Sequence, residues 1–193
     1  MKKTILGLAF GLIAAASTPL LAADYVIDHK GAHASINFKI SHLGFSWLTG
    51  RFNSFGGNFS YDENNPNASK VVVDIDPASI DSNQAKRDKH IRSDDFLDVK
   101  RFPKARFEST SFTESSDGSA LIKGNLTLHG VTKEITINAT KVGAGNDPWK
   151  GYRMGFAGST SFALQDFDID QKGIIGLGPK MIELSLHVEG IRQ

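Results

Sequence analysis

Residues 87–103 read RDKHIRSDDFLDVKRFP and hold nine charged side chains and one histidine, the densest set of acid–base groups in the chain. On a helix, His90 and Asp94 lie four apart, as do Asp88 and Arg92, so each pair shares a face. Ile91 shares a face with Arg87 and with Asp95. Three uses fit this composition. The charges form i,i+4 ion pairs on a solvated helix, with Phe96 and Leu97 tucking its end into a core. Alternatively, His90 and Arg92 meet a ligand's head group at the mouth of a cavity. The third use is acid–base catalysis, which requires a nucleophile or a metal beside the histidine.

The rest of the chain supplies neither. It has no cysteine, no G-x-S-x-G elbow and no serine in a Gly-rich strand-to-helix turn. The glycines of GIIGLGP, residues 173–179, lack the Lys-Ser/Thr that grips phosphate in a P-loop. The six histidines are scattered. His29 and His33 are four apart but sit at a turn-to-strand junction, and there is no H-E-x-x-H. His187 falls on the wet face of a strand. No catalytic residue, metal ligand or cofactor is therefore assigned.

The elements that must position residues 87–103 are strands. In HASINFKI, Ala34, Ile36, Phe38 and Ile40 alternate with polar residues. Val131, Ile135, Ile137 and Ala139 do so in VTKEITINAT, and Ile182, Leu184, Leu186 and Val188 in MIELSLHVEGI. Each reads as a strand with one buried and one wet face. Shorter runs of the same kind (KVVVDID, ARFESTSF, ALIKGNLTL, RMGFAGSTSFAL, GRFNSFGGNFSY) bring the total to about eight, with turns at DENNPN, SSDG, LHG and GAGNDP. A helix is expected only near 83–93, capped by Ser82 or Asn83, with a further short turn at SHLGFSWL. So many antiparallel strands in one domain imply a sandwich or a closed barrel, and closure removes exposed edges. An eight-stranded barrel is either filled by side chains or holds one small ligand. The phenylalanines set beside Gly, Ala and Ser fit ordinary packing or an aromatic wall around space.

The first residues bear on location. Lys2 and Lys3, the apolar run from Ile5 to Ala16, Pro19 and the small residues at Ala22 and Ala23 have the order of a secretory signal peptide over 1–22. Without cysteine, a lipoprotein anchor is excluded. Loss of the leader removes two of the 22 basic residues and no acidic one, leaving 20 against 21 and a net charge of −1. That balance gives no electrostatic case for nucleic acid or for an anionic surface. No later run is long enough for stable membrane insertion. Residues 23–193 are expected to be one exported domain, periplasmic in a cell with two membranes.

Four blocks in order, HASINFKISHLGFSWLTGRFNSFGG, RDKHIRSDDFLDVKRFPKARFES, GNLTLHGVTK and DPWKGYRMGFAG, resemble the YceI family of Gram-negative bacteria, and the likeness spans the whole mature chain. The resemblance implies an all-β fold: an extended eight-stranded antiparallel lipocalin-like barrel with one short helix near one end and a long apolar channel. It also implies a bound polyisoprenoid, isoprenoid quinone or similar long-chain amphiphile, held by a carrier or buffer with a stress or pH response. No catalytic motif carries over. The alternative is an enzyme acting on an isoprenoid or lipid, with His90 and Arg92 at the channel mouth. Alternating apolar positions nominate Ile36, Phe38, Ile40, Phe107, Leu126, Leu128, Phe156, Phe162, Leu184 and Leu186 as wall. Phe45, Trp47 and the GIIGLGP loop are nominated as an apolar rim, which makes a homodimer plausible. On this reading residues 87–103 are a lid or mouth.

Overall fold

The computed structural model describes residues 22–170 and 180–193. The leader expected over 1–22, except Ala22, and the GIIGLGP rim loop at 173–179 lie outside the described residues. The alternation resolves into eleven strands: β1 (Ala23–Ile27), β2 (Ser35–His42), β3 (Ser46–Phe52), β4 (Phe55–Tyr61), β5 (Lys70–Ile75), β6 (Ile80–Asp81), β7 (Ala105–Glu114), β8 (Ser119–Leu128), β9 (Val131–Asn146), β10 (Tyr152–Ala163) and β11 (Met181–Arg192). One helix, α1 (Ala85–Ile91), lies between β6 and β7.

All the pairings are antiparallel, and their order closes the barrel. β1–β4–β5–β7–β8–β9–β10–β11 runs in sequence, and β11 returns to β1. β11 also pairs with β2, β2 with β3, and β3 with β6. The extra strands are not extra staves. β1 and β2 lie end to end along β11, β3 and β4 are likewise one stave broken at residues 53–54, and β5 and β6 one broken at 76–79. Counted by staves, the wall is an eight-stranded up-and-down meander, with no free end in its hydrogen-bonded ring. The SHLGFSWL segment is the β2–β3 hairpin rather than a helical turn, since its alternation continues on both sides of Gly44.

Inward positions follow the expected period of two. Ile36, Phe38 and Ile40 of β2 are buried between half-buried polar neighbours, and Ile137 and Ala139 of β9 between exposed ones. Several rings cover glycines of a neighbouring strand: Phe38 at Gly50, Phe59 at Gly190 and Phe107 at Gly124. There the missing Cβ is what admits the ring.

Two ends differ in filling. Around β1, β4, β7 and β10 the interior is solid with aromatics. Tyr25 stacks on Phe59 with centroids 4.8 Å apart. Phe59, Tyr61 and Phe112 then meet Phe156 edge-on at 5.7, 5.7 and 6.4 Å. The Tyr61 hydroxyl donates to Glu114, and burial together with that carboxylate holds it protonated well above the usual phenol range. Toward the α1 end the inward residues are mostly aliphatic.

α1 is shorter than the expected 83–93 and capped one residue later. Gln84 Oε1 accepts the Arg87 N–H at 2.6 Å, whereas Ser82 and Asn83 precede the helix. Ser82 is committed elsewhere: its N–H and hydroxyl both donate to the buried Asp88 carboxylate, and Asn83 takes a left-handed φ of 62°.

A Cβ at Gly124 would fall 2.5 Å from the Phe107 ring and 2.6 Å from the Glu108 carbonyl oxygen, whereas one at Gly143 meets nothing within 4 Å. Gly124→Ala is therefore expected to lose about 1–3 kcal/mol in urea unfolding, and Gly143→Ala to stay within about 0.5 kcal/mol of wild type. Equal effects at the two positions would contradict the ring-over-glycine packing.

Candidate functional site

Where the aromatic filling stops, a cavity of about 300 Å³ remains. Its walls are Ile36, Phe38 and Ile40 of β2, Leu48 and Phe52 of β3, Leu126 and Leu128 of β8, Phe162 of β10, and Ile182 and Leu184 of β11. Phe96 and Leu97 cover one side, and Leu164 and Ile169, next to the fully buried Phe167, cover another. Polar side chains on the lining are few. Ser41 and His42 come from the β2–β3 hairpin, Arg87 and His90 from α1. They cluster because the wall changes character here. β3 pairs with β6 only through Arg51 and Phe52, so its residues 46–50 have no strand partner on that side among the described residues, and α1 stands where a strand would. Here the cavity lies against an outer groove with which it shares five lining residues, and among the described residues this polar gap is its mouth.

Outside the gap a polar groove follows β3. Phe38, His42, Leu48, Arg87 and Leu184 line both cavity and groove, so they form a partition one residue thick. Arg87 is the polar member held most firmly: its Nε donates to the Ser82 hydroxyl oxygen at 2.7 Å and its Nη2 to the Ser82 carbonyl. Asp88 anchors Ser82 in turn.

Of the nominated wall, Ile36, Phe38, Ile40, Leu126, Leu128, Phe162 and Leu184 line the cavity. Phe107, Phe156 and Leu186 do not. Phe107 is spent on Gly124, Phe156 is the hub of the aromatic cluster, and Leu186 packs against the core beside Gly158. The long channel implied by the family resemblance is thus confined to one half, because four rings meet across the other. Phe45 and Trp47 are exposed on the hairpin beside the opening; Trp47 faces outward with the Lys39 ammonium 4.5 Å from its ring centroid.

The expected ion pairs of residues 87–103 are replaced by other contacts. α1 ends at Ile91, so His90 and Asp94 do not share a helical face; His90 Nε2 lies 3.0 Å from Asp95 Oδ2 instead. Asp88 turns to Ser82, leaving Arg92 to donate to the Ile80 carbonyl at 3.4 Å. His90 lines the opening as expected, but Arg92 does not: Arg87 takes that place. Arg87 is one turn before His90 and Ile91, and that spacing was the signal available in the sequence. Phe96 and Leu97 are buried, the tucked end expected of a solvated helix.

Among the described residues, one cluster has the ligand types of a metal centre. Asp28, His33 and Glu189 place their ligand atoms within 4.8 Å of one another. A cation already serves them: Arg153 donates to Asp28 at 2.6 Å, to Asp147 at 2.9 Å and to Glu189. This network fastens the loop between β1 and β2 to the outside of β10 and β11. Arg153, then His33, hold the Asp28 carboxyl down at about 2.

Residues 25–190 match the family described as YceI-like domain. A UPF0312 protein of Vibrio cholerae is 53% identical over 195 residues, covering 100% of each chain. The crystal structure of Burkholderia cenocepacia BcnA superposes with a TM-score of 0.75 at 18% identity, over 84% of this chain and 98% of that one. A polyisoprenoid-binding domain from Saccharophagus degradans, implicated in plant cell wall breakdown, gives 0.64 at 15% identity, over 90% and 100%. The two structures share the fold with this chain.

Asp28 is depressed from the ordinary carboxylate value near 3.9, so its contribution to stability is complete above that pH and is lost as pH falls through about 2. Arg153→Leu should remove the cause of the depression and move the acid-unfolding midpoint, followed by tryptophan fluorescence, to higher pH. An unchanged midpoint would mean that the network does not govern acid stability.

Proposed function

We propose a binding function for this chain, and the premise is its membership: it belongs to the YceI-like family. The ligand is an amphiphile with a long branched apolar tail, a polyisoprenoid, an isoprenoid quinone or a similar lipid. The observation that carries this reading is the cavity itself, lined mostly by apolar side chains, with Ser41, His42, Arg87 and His90 coming from the hairpin and α1 that flank the gap. A tail segment enters the aliphatic half of the barrel and the polar end stays at the gap. That the Saccharophagus degradans neighbour is a polyisoprenoid-binding domain supports the ligand class.

Size limits what is held. At about 300 Å³ the cavity lies at the small end of the usual range for ligand sites, about 300–1,000 Å³. It accepts the end of a tail, and a longer tail advances only as Phe156 and its neighbours rotate aside. Burying one methylene from water gains about 0.8 kcal/mol, so a long tail would never leave if water were the alternative. The competing environment is a bilayer, where the tail is already dry. Exchange between bilayer and barrel is then nearly neutral in hydrophobic terms, and polar contacts at the gap tip the balance. This suits a carrier or buffer that crosses an aqueous compartment. With the leader read from residues 1–22, that compartment is the periplasm.

Binding rather than turnover fits the chemistry at the gap. His90 is oriented by Asp95, but the other polar lining groups are an arginine held by Ser82, a serine and a second histidine. None of these pairings matches an activated nucleophile.

Organic extraction of natively purified protein followed by mass spectrometry is expected to release a prenyl amphiphile. Leu184→Trp, which fills the cavity from the wall, should lower recovery at least about tenfold with the circular dichroism spectrum unchanged. Protein that is repeatedly empty when taken from its own host would refute the binding reading.

A further inference from the structure

Within five residues the β2–β3 hairpin exposes Leu43 (52%), Phe45 (87%) and Trp47 (59%). Other large exposed apolar side chains are spread along the barrel, with Trp149 in the turn at its opposite end. These three stand at the opening, and the hairpin that bears them also supplies Ser41, His42, Leu43 and Leu48 to the cavity lining. The apolar surface outside is therefore continuous with the apolar surface inside.

The turn chemistry sharpens the point. Leu43 and Gly44 have φ of 54° and 78°, and the Phe45 N–H donates to the His42 carbonyl at 3.0 Å. A two-residue turn with both central residues left-handed favours Asn-Gly, whose first side chain is short and polar. A branched side chain there is strained. Leucine occupies the position while about half of it stays exposed, so packing against the cavity accounts for only part of the side chain.

Charge around the tip selects the partner. Residues 35–52 contain Lys39 and Arg51 and no acidic residue. Across the opening α1 exposes Lys86 and Lys89 and half-buries Arg87, while its one acid, Asp88, is buried on Ser82. Acids along this rim are engaged: Glu183 with Lys39 at 2.7 Å, Asp95 with His90, and Asp81, opposite Arg51, accepts from the Asn83 N–H and the Asn53 side chain. A near-neutral protein thus has a basic rim around an apolar tip. Tryptophan beside lysine is the pairing that settles at a membrane interface. A second copy of the chain is a poorer occupant, because three side chains on a convex turn fall well short of the roughly 800 Å² per partner of a stable interface.

We propose that the β2–β3 tip is a docking surface for a phospholipid bilayer. Leu43, Phe45 and Trp47 seat in the interfacial layer of an anionic leaflet, and the rim lysines meet its phosphates. Seating brings the gap between the hairpin and α1 against the leaflet, so a tail passes from bilayer to barrel without crossing water. The purpose of docking rests on the binding function proposed above; the docking does not. The contact is shallow and reversible, and no helix among the described residues is long and apolar enough to span.

The test uses processed protein, verified by mass to begin at Ala23, and vesicles of phosphatidylethanolamine and phosphatidylglycerol without any prenyl lipid. In a Trp149→Phe background, vesicles should shift Trp47 emission to the blue, and the protein should co-sediment with them. Leu43→Asn combined with Phe45→Ser should weaken co-sedimentation at least about tenfold. Leu43→Asn alone should match or exceed the wild-type melting temperature, because asparagine suits the turn, so weaker docking cannot be put down to misfolding. Wild-type protein that ignores the vesicles, or a double variant that binds as wild type, overturns the proposal. So does a wild-type dimer in analytical ultracentrifugation that the double variant dissolves, since the tip would then be a self-association surface. Leu184→Trp should dock normally; docking with failed loading counts against the cavity, and loading without docking counts against the tip.

Discussion

Closure of the strand ring is the constraint on which the rest depends. Once β11 has returned to β1 and β2, the number of staves sets the circumference, and the circumference sets an interior that the inward side chains must fill. They do so unequally. Tyr25, Phe59, Tyr61, Phe112 and Phe156 are large enough to meet across one half. In the other half Ile36, Ile40, Leu126, Ile182 and Leu184 are attached to a wall of the same radius but are shorter, and a void is left. The cavity is the difference between a fixed wall and a variable filling.

The position of the opening follows from a second departure from regularity. β6 contributes two residues to the wall before the chain turns into α1, so part of β3 lacks a neighbour on one side. A helix covers that gap but cannot seal it with ladder hydrogen bonds. Local side-chain pairs hold the helix in place there: Arg87 on Ser82, Ser82 on Asp88, His90 on Asp95. Polar groups therefore collect at the one place where the apolar interior approaches solvent from the side. The same gap leaves the β2–β3 hairpin projecting, with its apolar tip beside the way in.

Much of the wall was legible in the chain, because a strand's inward positions depend only on alternation. Ile36, Phe38, Ile40 and Leu184 follow from a period of two and a single choice of face. The family resemblance added closure. Phe107, Phe156 and Leu186 have the same alternation and the same inward direction, yet line no cavity, since height along the barrel decides whether an inward residue meets rings or space. The helix misled for a similar reason. A seven-residue α1 ends before Asp94 can pair with His90, and it turns Arg87 rather than Arg92 toward the opening. Charge spacing identified a helix with a polar face; it did not contain the packing that orients the face.

By itself, the sequence determined that this is an all-β chain, which alternating positions could face inward, and that residues 87–103 carry a short helix with a polar face. These are local properties, fixed by period, composition and neighbours a few positions away. Only the tertiary structure decided that half the barrel is solid, that Arg153 occupies the place a metal would take among Asp28, His33 and Glu189, and that Arg87 shares the opening with His42. Each of these depends on which side chains from distant strands arrive at the same height and face, a relation that exists only once the ring has closed.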